Sequence, residues 1–304
     1  MNSSAPIELP AGAHAALLFH GLAASPLELR FVGKLLQRAG FTVVIPTIPG
    51  YSLGAQASAW TGWVTHAEAL YANLCKRHKS VSVGGLSVGA TLALVLAARQ
   101  PRLLCLALWS LPLFYDGWAM PWYRWLFKPC YRIGVGRRYA YREAEPFGLK
   151  NERWRARVAE AMRTARVSVA GPALIPARFL YESMELGAYA ERNLGRVRAD
   201  TLIMHAADDE TASPRNADVA YAGIGSAHKR KILLGDSYHM ITMDNERELV
   251  ARESIRFFQH SIMHRHPEEQ LRLVSSARAL LRLQRRRAQE KAAAAGHAEP
   301  LSSA

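Results

Sequence analysis

The residue with the clearest potential for chemistry is Ser87, at the centre of a Gly-Leu-Ser-Val-Gly run over residues 85–89. An apolar run precedes it and an Ala- and Leu-rich stretch follows it, which predicts a strand, a tight turn and a helix. Small residues at such a turn let the strand and the helix approach closely and leave the serine hydroxyl exposed, as a nucleophile requires. A glycine-rich turn with an incidental serine is the alternative. A phosphate-binding loop is disfavoured because no Lys-Ser or Lys-Thr pair follows the glycines.

A serine hydroxyl becomes a good nucleophile only when a base accepts its proton and a third group orients that base. In chain order, an acid should follow one strand and a histidine should follow the next. Asp208, Asp209 and Glu210 follow one apolar run, and His239 follows the last such run. The chain has eleven histidines, and the position after the last predicted strand selects His239. The three consecutive acids leave the choice of the orienting carboxylate open at this point.

Apolar runs of strand length alternate with stretches of helical periodicity along most of the chain. The predicted strands cover residues 15–19, 41–45, 81–83, 103–109, 201–204 and 231–234, and the predicted helices begin near residues 26, 63, 90 and 246. Strands that are apolar on both faces and alternate with helices indicate a mostly parallel sheet covered by helices. The predicted fold class is therefore α/β.

The alternation stops between residues 112 and 198, where Trp, Tyr, Arg and Pro are frequent, and then resumes. We expect residues 1–111 and 199–260 to form a core, residues 112–198 an insertion and residues 261–304 a tail. The chain carries a formal charge of +14; the insertion has 16 basic and 8 acidic residues and the tail has 8 and 4. The positive surplus therefore belongs mostly to the appended segments.

Composition and cysteine usage exclude several classes of protein. Half of the residues are apolar and 21% are charged, as in ordinary globular proteins. Cys75, Cys105 and Cys130 lack the spacing of a zinc site or of a disulfide framework. Residues 1–12 lack the features of a secretory signal, and the apolar stretch 103–123 is interrupted by an aspartate and two prolines. We therefore expect a cytoplasmic protein without a bound metal.

Four motifs, in this order, resemble those of the α/β-hydrolase superfamily, and within it those of bacterial carboxylesterases and monoacylglycerol lipases. The motifs are Leu17-Leu18-Phe19-His20-Gly21-Leu22 followed by Ser25-Pro26-Leu27-Glu28, the run over residues 85–89, Asp209-Glu210 followed by Pro214, and Ser237-Tyr238-His239 followed by Ile241-Thr242. The resemblance covers about residues 15–260. It implies an α/β-hydrolase fold with an inserted cap, and the tail that follows is predicted separately, from its own pattern, to be a C-terminal helical extension.

The resemblance also implies a catalytic triad of Ser87, Asp209 and His239. The spacing to the later proline favours Asp209 over Asp208 as the triad acid. The implied oxyanion hole consists of the backbone N–H groups of Leu22 and Val88. Such a site needs no cofactor and no metal ion.

In that superfamily, an insertion at this place is a cap that covers the active site and selects the substrate. Its first third is dense in large apolar side chains, namely Leu113, Phe114, Trp118, Met120, Trp122, Tyr123, Trp125, Leu126 and Phe127. Most of them are expected to pack the cap onto the core, but a pocket for an acyl chain needs the same kind of wall. We therefore expect an acyl group of medium length or longer.

The basic residues of the cap and the tail are open to more than one interpretation. A solvated helix face is the simplest one for the cap, and attraction to anionic lipid or to an acidic substrate such as an acyl-coenzyme A is the functional one. From His266 the sequence predicts a basic amphipathic helix that packs on the domain, contacts an anionic membrane peripherally at its inner face or binds a partner. Nucleic acid is disfavoured because no recognised binding module accompanies the charge.

These features together predict a serine hydrolase that cleaves a small-molecule carboxylic ester with an apolar acyl chain through an acyl-enzyme. An acyl-thioesterase or an acyltransferase with the same triad is the alternative within enzymes, because its first half-reaction is identical. A non-catalytic lipid-binding or scaffold protein on the same fold is the alternative of another class.

Overall fold

The computed structural model describes residues 5–165, 167–168 and 171–265. These residues form eleven β-strands: β1 (Ile7–Leu9), β2 (His14–Phe19), β3 (Phe41–Ile45), β4 (Ser80–Leu86), β5 (Cys105–Trp109), β6 (Ala140–Arg142), β7 (Val167–Ser168), β8 (Gly171–Pro172), β9 (Leu174–Pro176), β10 (Asp200–Ala206) and β11 (Lys229–Leu234). They also form eight α-helices: α1 (Arg30–Arg38), α2 (Trp60–Arg77), α3 (Val88–Arg99), α4 (Phe127–Arg132), α5 (Glu152–Thr164), α6 (Ala177–Arg192), α7 (Arg215–Gly223) and α8 (Arg247–Arg265).

Seven of the strands form one sheet in the order β1-β3-β2-β4-β5-β10-β11, in which β1 is antiparallel and the other pairs are parallel. The predicted mostly parallel sheet flanked by helices is confirmed. Strand β1 is missing from the sequence-based prediction because three residues are too few to show an alternating pattern. It pairs at the sheet edge, with Ile7 opposite Ile45.

Apolar side chains cover both faces of the sheet, as the unbroken apolar runs predict. In β2, Leu17 and Phe19 point into a core shared with α2 and α3. Leu18, between them, points into a second core shared with α1 and α8. Helix α3 is buried along almost its whole length, which explains why its sequence is apolar on all sides.

The carboxyl ends of the parallel strands meet at one edge of the sheet, and the loops that follow them carry the predicted site residues. Ser87 follows β4, Asp209 follows β10 and His239 follows β11. Leu22 follows β2 in the same way. Residues far apart in sequence therefore converge because their strands are neighbours, as is general for ligand sites of open α/β sheets.

Two glycines allow β4, α3 and β2 to approach each other around this edge. A Cβ added to Gly85 would lie 2.2 Å from the Gly89 oxygen, and one added to Gly89 would lie 2.2 Å from the Phe19 oxygen and 2.4 Å from the His20 oxygen. Real Cβ atoms do not come this close to backbone atoms. The glycines are therefore needed for the packing of the turn, in agreement with the sequence analysis.

The predicted insertion, residues 112–198, connects the neighbouring strands β5 and β10. It contains α4, α5, the small pairs β6-β9 and β7-β8, and α6. Its last helix packs against α3, and Leu186 and Ala190 belong to the same core as the α3 side chains. The division at residue 198 therefore does not coincide with a break in packing, and the domain bounds stay a prediction.

The predicted boundary between core and tail, at residues 260 and 261, falls inside helix α8. Ser261 and Ile262 are buried, and the Arg265 guanidinium lies 3.2 Å from an Asp200 carboxylate oxygen at the start of β10. Residues 261–265 are thus part of the core helix because their side chains complete its packing. The amphipathic helix predicted from His266 onward lies outside the described residues. No helix in the described part of the chain has the length and hydropathy needed to cross a membrane.

We expect Gly89→Ala to lower the free energy of unfolding by about 3 kcal/mol or more, because the added methyl group would overlap backbone oxygens that cannot rotate away. Gly62→Ala in the first turn of α2 is the matched control. Its nearest neighbour would be the Ser58 Oγ at 3.8 Å, and alanine favours a helix over glycine by about 1 kcal/mol. Urea denaturation of both variants is the measurement, and a Gly89→Ala protein as stable as the wild type would contradict the close approach.

Candidate active site

Ser87 occupies a strained turn between β4 and α3. Its φ angle is +55° and its ψ angle is −128°, a region that non-glycine residues rarely adopt. The Ser87 N–H donates to the Trp109 oxygen at 2.9 Å, which ties the turn to the neighbouring strand β5. The backbone therefore holds the hydroxyl above the sheet edge, where it meets the imidazole of His239.

His239 connects Ser87 to Asp209. The His239 Nε2 lies 2.8 Å from the Ser87 Oγ, and the His239 Nδ1 lies 2.8 Å and 3.0 Å from the two carboxylate oxygens of Asp209. A carboxylate only accepts hydrogen bonds, so Nδ1 carries a proton, and in the neutral imidazole Nε2 is left to accept the serine proton. The three residues predicted as a triad are thus joined in the order that proton transfer from the serine requires.

The Asp209 carboxylate is buried and held by its own loop. Its Oδ1 accepts backbone N–H groups of Thr211 at 2.9 Å and of Ala212 at 2.8 Å. Burial alone would raise the pKa of Asp209, but His239, His205 and the Ala212 N–H together lower it below its ordinary value. Asp209 is therefore an ionised partner for the His239 imidazole.

The neighbouring acids have different environments. Asp208 points to solvent, with 60% of its side chain exposed, and its Oδ2 accepts from the Lys150 Nζ at 3.2 Å. Glu210 is buried, and its Oε2 accepts the backbone N–H of His239 at 3.1 Å. Asp208 therefore makes no contact with the imidazole, whereas Glu210 braces the loop that carries it.

The same loop is anchored by a residue that the sequence analysis did not select. The Oδ2 of Asp244 accepts N–H groups of Tyr238 at 2.8 Å and of Lys150 at 2.7 Å, and its Oδ1 accepts the Asn151 N–H at 2.8 Å. This carboxylate therefore ties the His239 loop to the start of α5 in the insertion. A lone aspartate in a loop gives no sequence signal for such a bridge.

The surrounding carboxylates change the basicity of His239. Burial lowers the pKa of His239, but the negative charge and hydrogen bond of Asp209, followed by the charges of Glu210 and Glu143, raise it to about 9. The imidazolium form is thus strongly favoured. In the imidazolium form Nε2 also carries a proton and cannot accept the one from Ser87, so the neutral imidazole is the form that can act as the base.

Leu22 and Val88, which carry the predicted oxyanion donors, line the same cavity as Ser87. In the described part of the chain, neither backbone N–H donates to another residue. The turn before Leu22 is fixed by the Gly21 N–H, which donates to the Glu28 Oε2 at 2.7 Å. Burial raises the pKa of Glu28 to about 8.

His20, just before this turn, has a structural role. Its Nδ1 donates to the Gly21 oxygen at 2.8 Å, its Nε2 accepts from the Ser52 hydroxyl at 2.9 Å, and its backbone oxygen accepts from the Tyr51 hydroxyl. Burial lowers the pKa of His20 to about 4, so the ring is neutral. The described residues contain no group of three or more His, Cys, Asp or Glu side chains placed to hold a metal ion.

The cavity above Ser87 has a volume of about 520 Å³. Its wall is mostly apolar and comes largely from the insertion, including Met120, Tyr123, Leu126, Phe127, Met162, Ile175, Leu180 and Met184. Of the aromatic residues singled out from the sequence, Trp118, Trp122 and Trp125 lie outside this wall and are exposed. Leu113 and Phe114 instead pack on the core.

Three carboxylates also line the cavity, and only Glu210 was among the acids considered from the sequence. They are Glu28, Glu143 and Glu210. Burial raises the pKa of Glu143 to about 7, and the negative charge of Glu210 adds to this effect. Glu28 belongs to the first of the four sequence motifs but had no role assigned to it, and the sequence around Glu143 has no motif that could have indicated its position.

A family model described as "Serine aminopeptidase, S33" (Hydrolase_4) matches residues 13–246. The chain belongs to this family. The match spans more than two thirds of the chain and includes Ser87, Asp209 and His239.

Relatives of this S33 family member include a thermostable monoacylglycerol lipase of Bacillus sp. (strain H-257), which is 26% identical over 265 residues, covering 85% of this chain and 95% of the relative. A carboxylesterase of Bacillus subtilis (strain 168) is 22% identical over 264 residues, covering 84% and 96%. The crystal structure of a Paleococcus ferrophilus monoacylglycerol lipase superposes with a TM-score of 0.71 at 16% identity, covering 84% of this chain and 98% of that one. The predicted α/β-hydrolase fold and the predicted class, a serine hydrolase related to lipases and esterases, are confirmed. The roles of the individual site residues stay predictions.

We expect Asp209→Asn to lower kcat by about ten-thousandfold. The amide oxygen would keep the Thr211 and Ala212 N–H groups, so the amide NH₂ would donate to the His239 Nδ1 and favour the tautomer whose Nε2 already carries the proton, and loss of a triad acid has an effect of this size. Asp208→Asn is the matched control, since it makes the same chemical change one residue away on an exposed side chain. Steady-state kinetics on a soluble ester would measure both. A larger loss in Asp208→Asn than in Asp209→Asn would transfer the role to Asp208.

We expect kcat/KM to fall as the pH decreases through about 9, because His239 must be neutral to accept the Ser87 proton and its pKa is raised to about 9. Glu210→Gln keeps an oxygen that accepts the His239 N–H but removes a negative charge. The acidic limb of the pH profile should then move to lower pH, since one source of the raised pKa is lost. An unchanged limb in Glu210→Gln, together with normal stability, would show that Glu210 is only a structural brace.

Proposed function

We propose that this S33 family member hydrolyses carboxylic esters with an apolar acyl chain through an acyl-enzyme. The observation that carries the proposal is the 2.8 Å contact between the Ser87 Oγ and a His239 Nε2 whose other nitrogen donates to Asp209. In the first step the Ser87 Oγ attacks the ester carbonyl while its proton passes to His239. Collapse of the tetrahedral intermediate breaks the bond to the alcohol oxygen, which takes the proton from His239. Water then attacks the acyl-enzyme by the same route and frees the acid and the serine.

The oxyanion of each tetrahedral intermediate needs donors that are not engaged elsewhere. The Leu22 and Val88 N–H groups meet this need, since they border the same cavity as Ser87 and make no other described hydrogen bond. One such donor typically contributes about 2.7–4 kcal/mol to transition-state stabilisation. The Gly21–Glu28 hydrogen bond holds the loop that presents Leu22 and is therefore a positioning contact in this proposal.

The cavity supports an apolar acyl group. Its volume of about 520 Å³ is within the usual range for small-molecule sites, and its wall is mainly apolar. Each buried methylene of a substrate contributes about 0.8 kcal/mol. A chain of medium length or longer would therefore gain more from this cavity than a short one.

The names of the relatives support an ester substrate, since one is a monoacylglycerol lipase and another a carboxylesterase. The family description, by contrast, names an aminopeptidase. A thioester or an acyl acceptor other than water would use the same first half-reaction. Amide and thioester substrates must therefore be compared with esters. The predicted cytoplasmic location stays a prediction.

We expect kcat/KM for nitrophenyl esters to rise with acyl length by up to about fourfold per methylene until the cavity is full, as burial of each group implies. Ser87→Ala should abolish this activity and the labelling by a fluorophosphonate while the protein stays folded. Ser110→Ala is the matched control, because Ser110 also follows a strand with a positive φ angle but lies outside the cavity wall.

Aminoacyl amides and acyl thioesters of matched chain length complete the panel. Faster cleavage of the amides would favour the activity named by the family, and faster cleavage of the thioesters would favour the thioesterase alternative. Labelling that persists in Ser87→Ala would contradict the nucleophile, and rates that are independent of acyl length would contradict the acyl pocket.

A further inference from the structure

A second buried histidine contacts the candidate triad acid. His205 lies in β10, four residues before Asp209, and its side chain has no exposed area. Its Nε2 lies 2.8 Å from the Ala212 backbone oxygen and 3.3 Å from the Asp209 Oδ2. Both oxygens only accept hydrogen bonds, so this nitrogen carries a proton. The Nε2–H group of His205 therefore faces the loop that carries the acid.

The two carboxylate oxygens of Asp209 have different partners. Oδ1 accepts two backbone N–H groups of its own loop and lies 3.0 Å from the His239 Nδ1. Oδ2 lies nearer to that nitrogen, at 2.8 Å, and no backbone N–H of the described residues donates to it. Its other described contact is the His205 Nε2. The oxygen that is closest to the His239 proton thus lies between two imidazole rings.

His205 also braces the turn that contains the acid. The Ala212 N–H donates to the Asp209 Oδ1, whereas the Ala212 oxygen accepts from the His205 Nε2–H. Strand β10 is paired on both sides, with β5 and with β11. The ring therefore links the carboxylate and its turn to an interior strand of the sheet.

Packing alone does not account for a histidine at this position. The neighbouring buried residues of β10 include Leu202, Ile203, Met204 and Ala206, which are all apolar. The His205 Nδ1 is buried without a hydrogen-bond partner among the described residues, and burial of an unpaired polar atom is unfavourable. An apolar side chain would fill the space without this penalty. The Nε2–H group is the part of the side chain whose contacts offset it.

We propose that His205 is a positioning residue of the triad, whose Nε2–H keeps the Asp209 Oδ2 in contact with the His239 Nδ1. The proposal rests on the proposed function, because it takes Ser87 as the nucleophile and His239 as its base. When Ser87 attacks, His239 becomes an imidazolium that the Asp209 carboxylate stabilises. A carboxylate that shifts away from Nδ1 loses part of this stabilisation. Because His205 does not line the cavity, its effect falls on kcat rather than on substrate binding.

Three substitutions separate the N–H group of His205 from the bulk of its ring. Burial lowers the pKa of His205, so the ring is a neutral donor that a neutral amide can replace. His205→Gln puts an amide N–H near the position of Nε2, and His205→Asn carries the same amide one methylene short of it. His205→Met fills the space with a flexible apolar side chain that has no donor.

We expect His205→Asn and His205→Met to lower kcat for a soluble ester about 10- to 100-fold with an unchanged KM, the size expected when a charged group loses a hydrogen bond. His205→Gln should stay close to the wild type. His14→Met is the matched control, since His14 is also buried but lies at the opposite end of the sheet, where its Nδ1 is 2.8 Å from the Ser80 Oγ. It should leave kcat unchanged. Urea denaturation of each variant measures its stability.

Two further measurements do not depend on ester turnover. One is the rate of labelling of Ser87 by a fluorophosphonate, which should slow in His205→Asn and His205→Met. The other is the low-field proton resonance of the His239 Nδ1–H, identified by its loss in Asp209→Asn. The resonance should be present in the wild type and in His205→Gln, and it should be weakened in the other two variants.

A wild-type kcat in His205→Met would overturn the proposal, and so would equal kcat values in His205→Gln and His205→Asn. The second comparison holds even when His205→Met fails to fold. Losses of kcat in all three variants that parallel their losses of stability would limit His205 to a role in folding. A wild-type protein that cleaves no ester, with labelling rates and resonances in the expected order, would refute the proposed function but support the role of His205.

Discussion

A buried carboxylate that must remain ionised is the constraint on which the rest of this site depends. Removing a carboxylate from water costs several kcal/mol unless other groups replace the lost hydration. Two backbone N–H groups of its own loop, and the His239 imidazole, do this for Asp209. The loop after β10 therefore has to fold back around the carboxylate, and this fold determines the direction in which His239 is held. Because Asp209 fixes the Nδ1 proton, it also determines that Nε2 faces Ser87.

The other carboxylates in the cavity have two opposing electrostatic effects on the proposed reaction. Negative charge near His239 stabilises the imidazolium that forms when Ser87 attacks, but it also opposes the negative charge that develops on the substrate oxygen. Glu28 lies closest to the proposed oxyanion loop, where its Oε2 accepts the Gly21 N–H. With a pKa raised to about 8 by burial, it is mostly neutral at pH 7 and so opposes the oxyanion little. The charge that remains is therefore concentrated on the side of His239.

Much of the core could be predicted from the sequence because its strands are apolar on both faces and its glycines mark unavoidable close contacts. Ser87 and His239 could be selected because each has a fixed place after a strand, and the structure joins Ser87 to His239 and His239 to Asp209. Glu143 and Asp244 could not. Asp244 joins the His239 loop to Lys150 and Asn151, which lie 94 and 93 positions away in sequence, and Glu143 reaches the site through the cavity, so no local pattern records either role. The role of α6 was also hidden, since its packing on α3 depends on how the insertion returns to the sheet.

The composition of the insertion does not show which of its apolar side chains pack in the core and which are exposed to solvent. The structure distinguishes the two groups. Neither of the two described cores includes any side chain of residues 118–139. The large apolar side chains there are thus not needed to close the sheet, unlike Leu113, which is a core residue although it belongs to the same run. This segment is rich in Trp and Tyr but contributes little to folding. It therefore leaves apolar area in contact with water, which is unfavourable. Four of these side chains, Tyr123, Leu126, Val135 and Tyr139, also line the cavity that contains Ser87, so part of the exposed apolar area belongs to the wall of the candidate site.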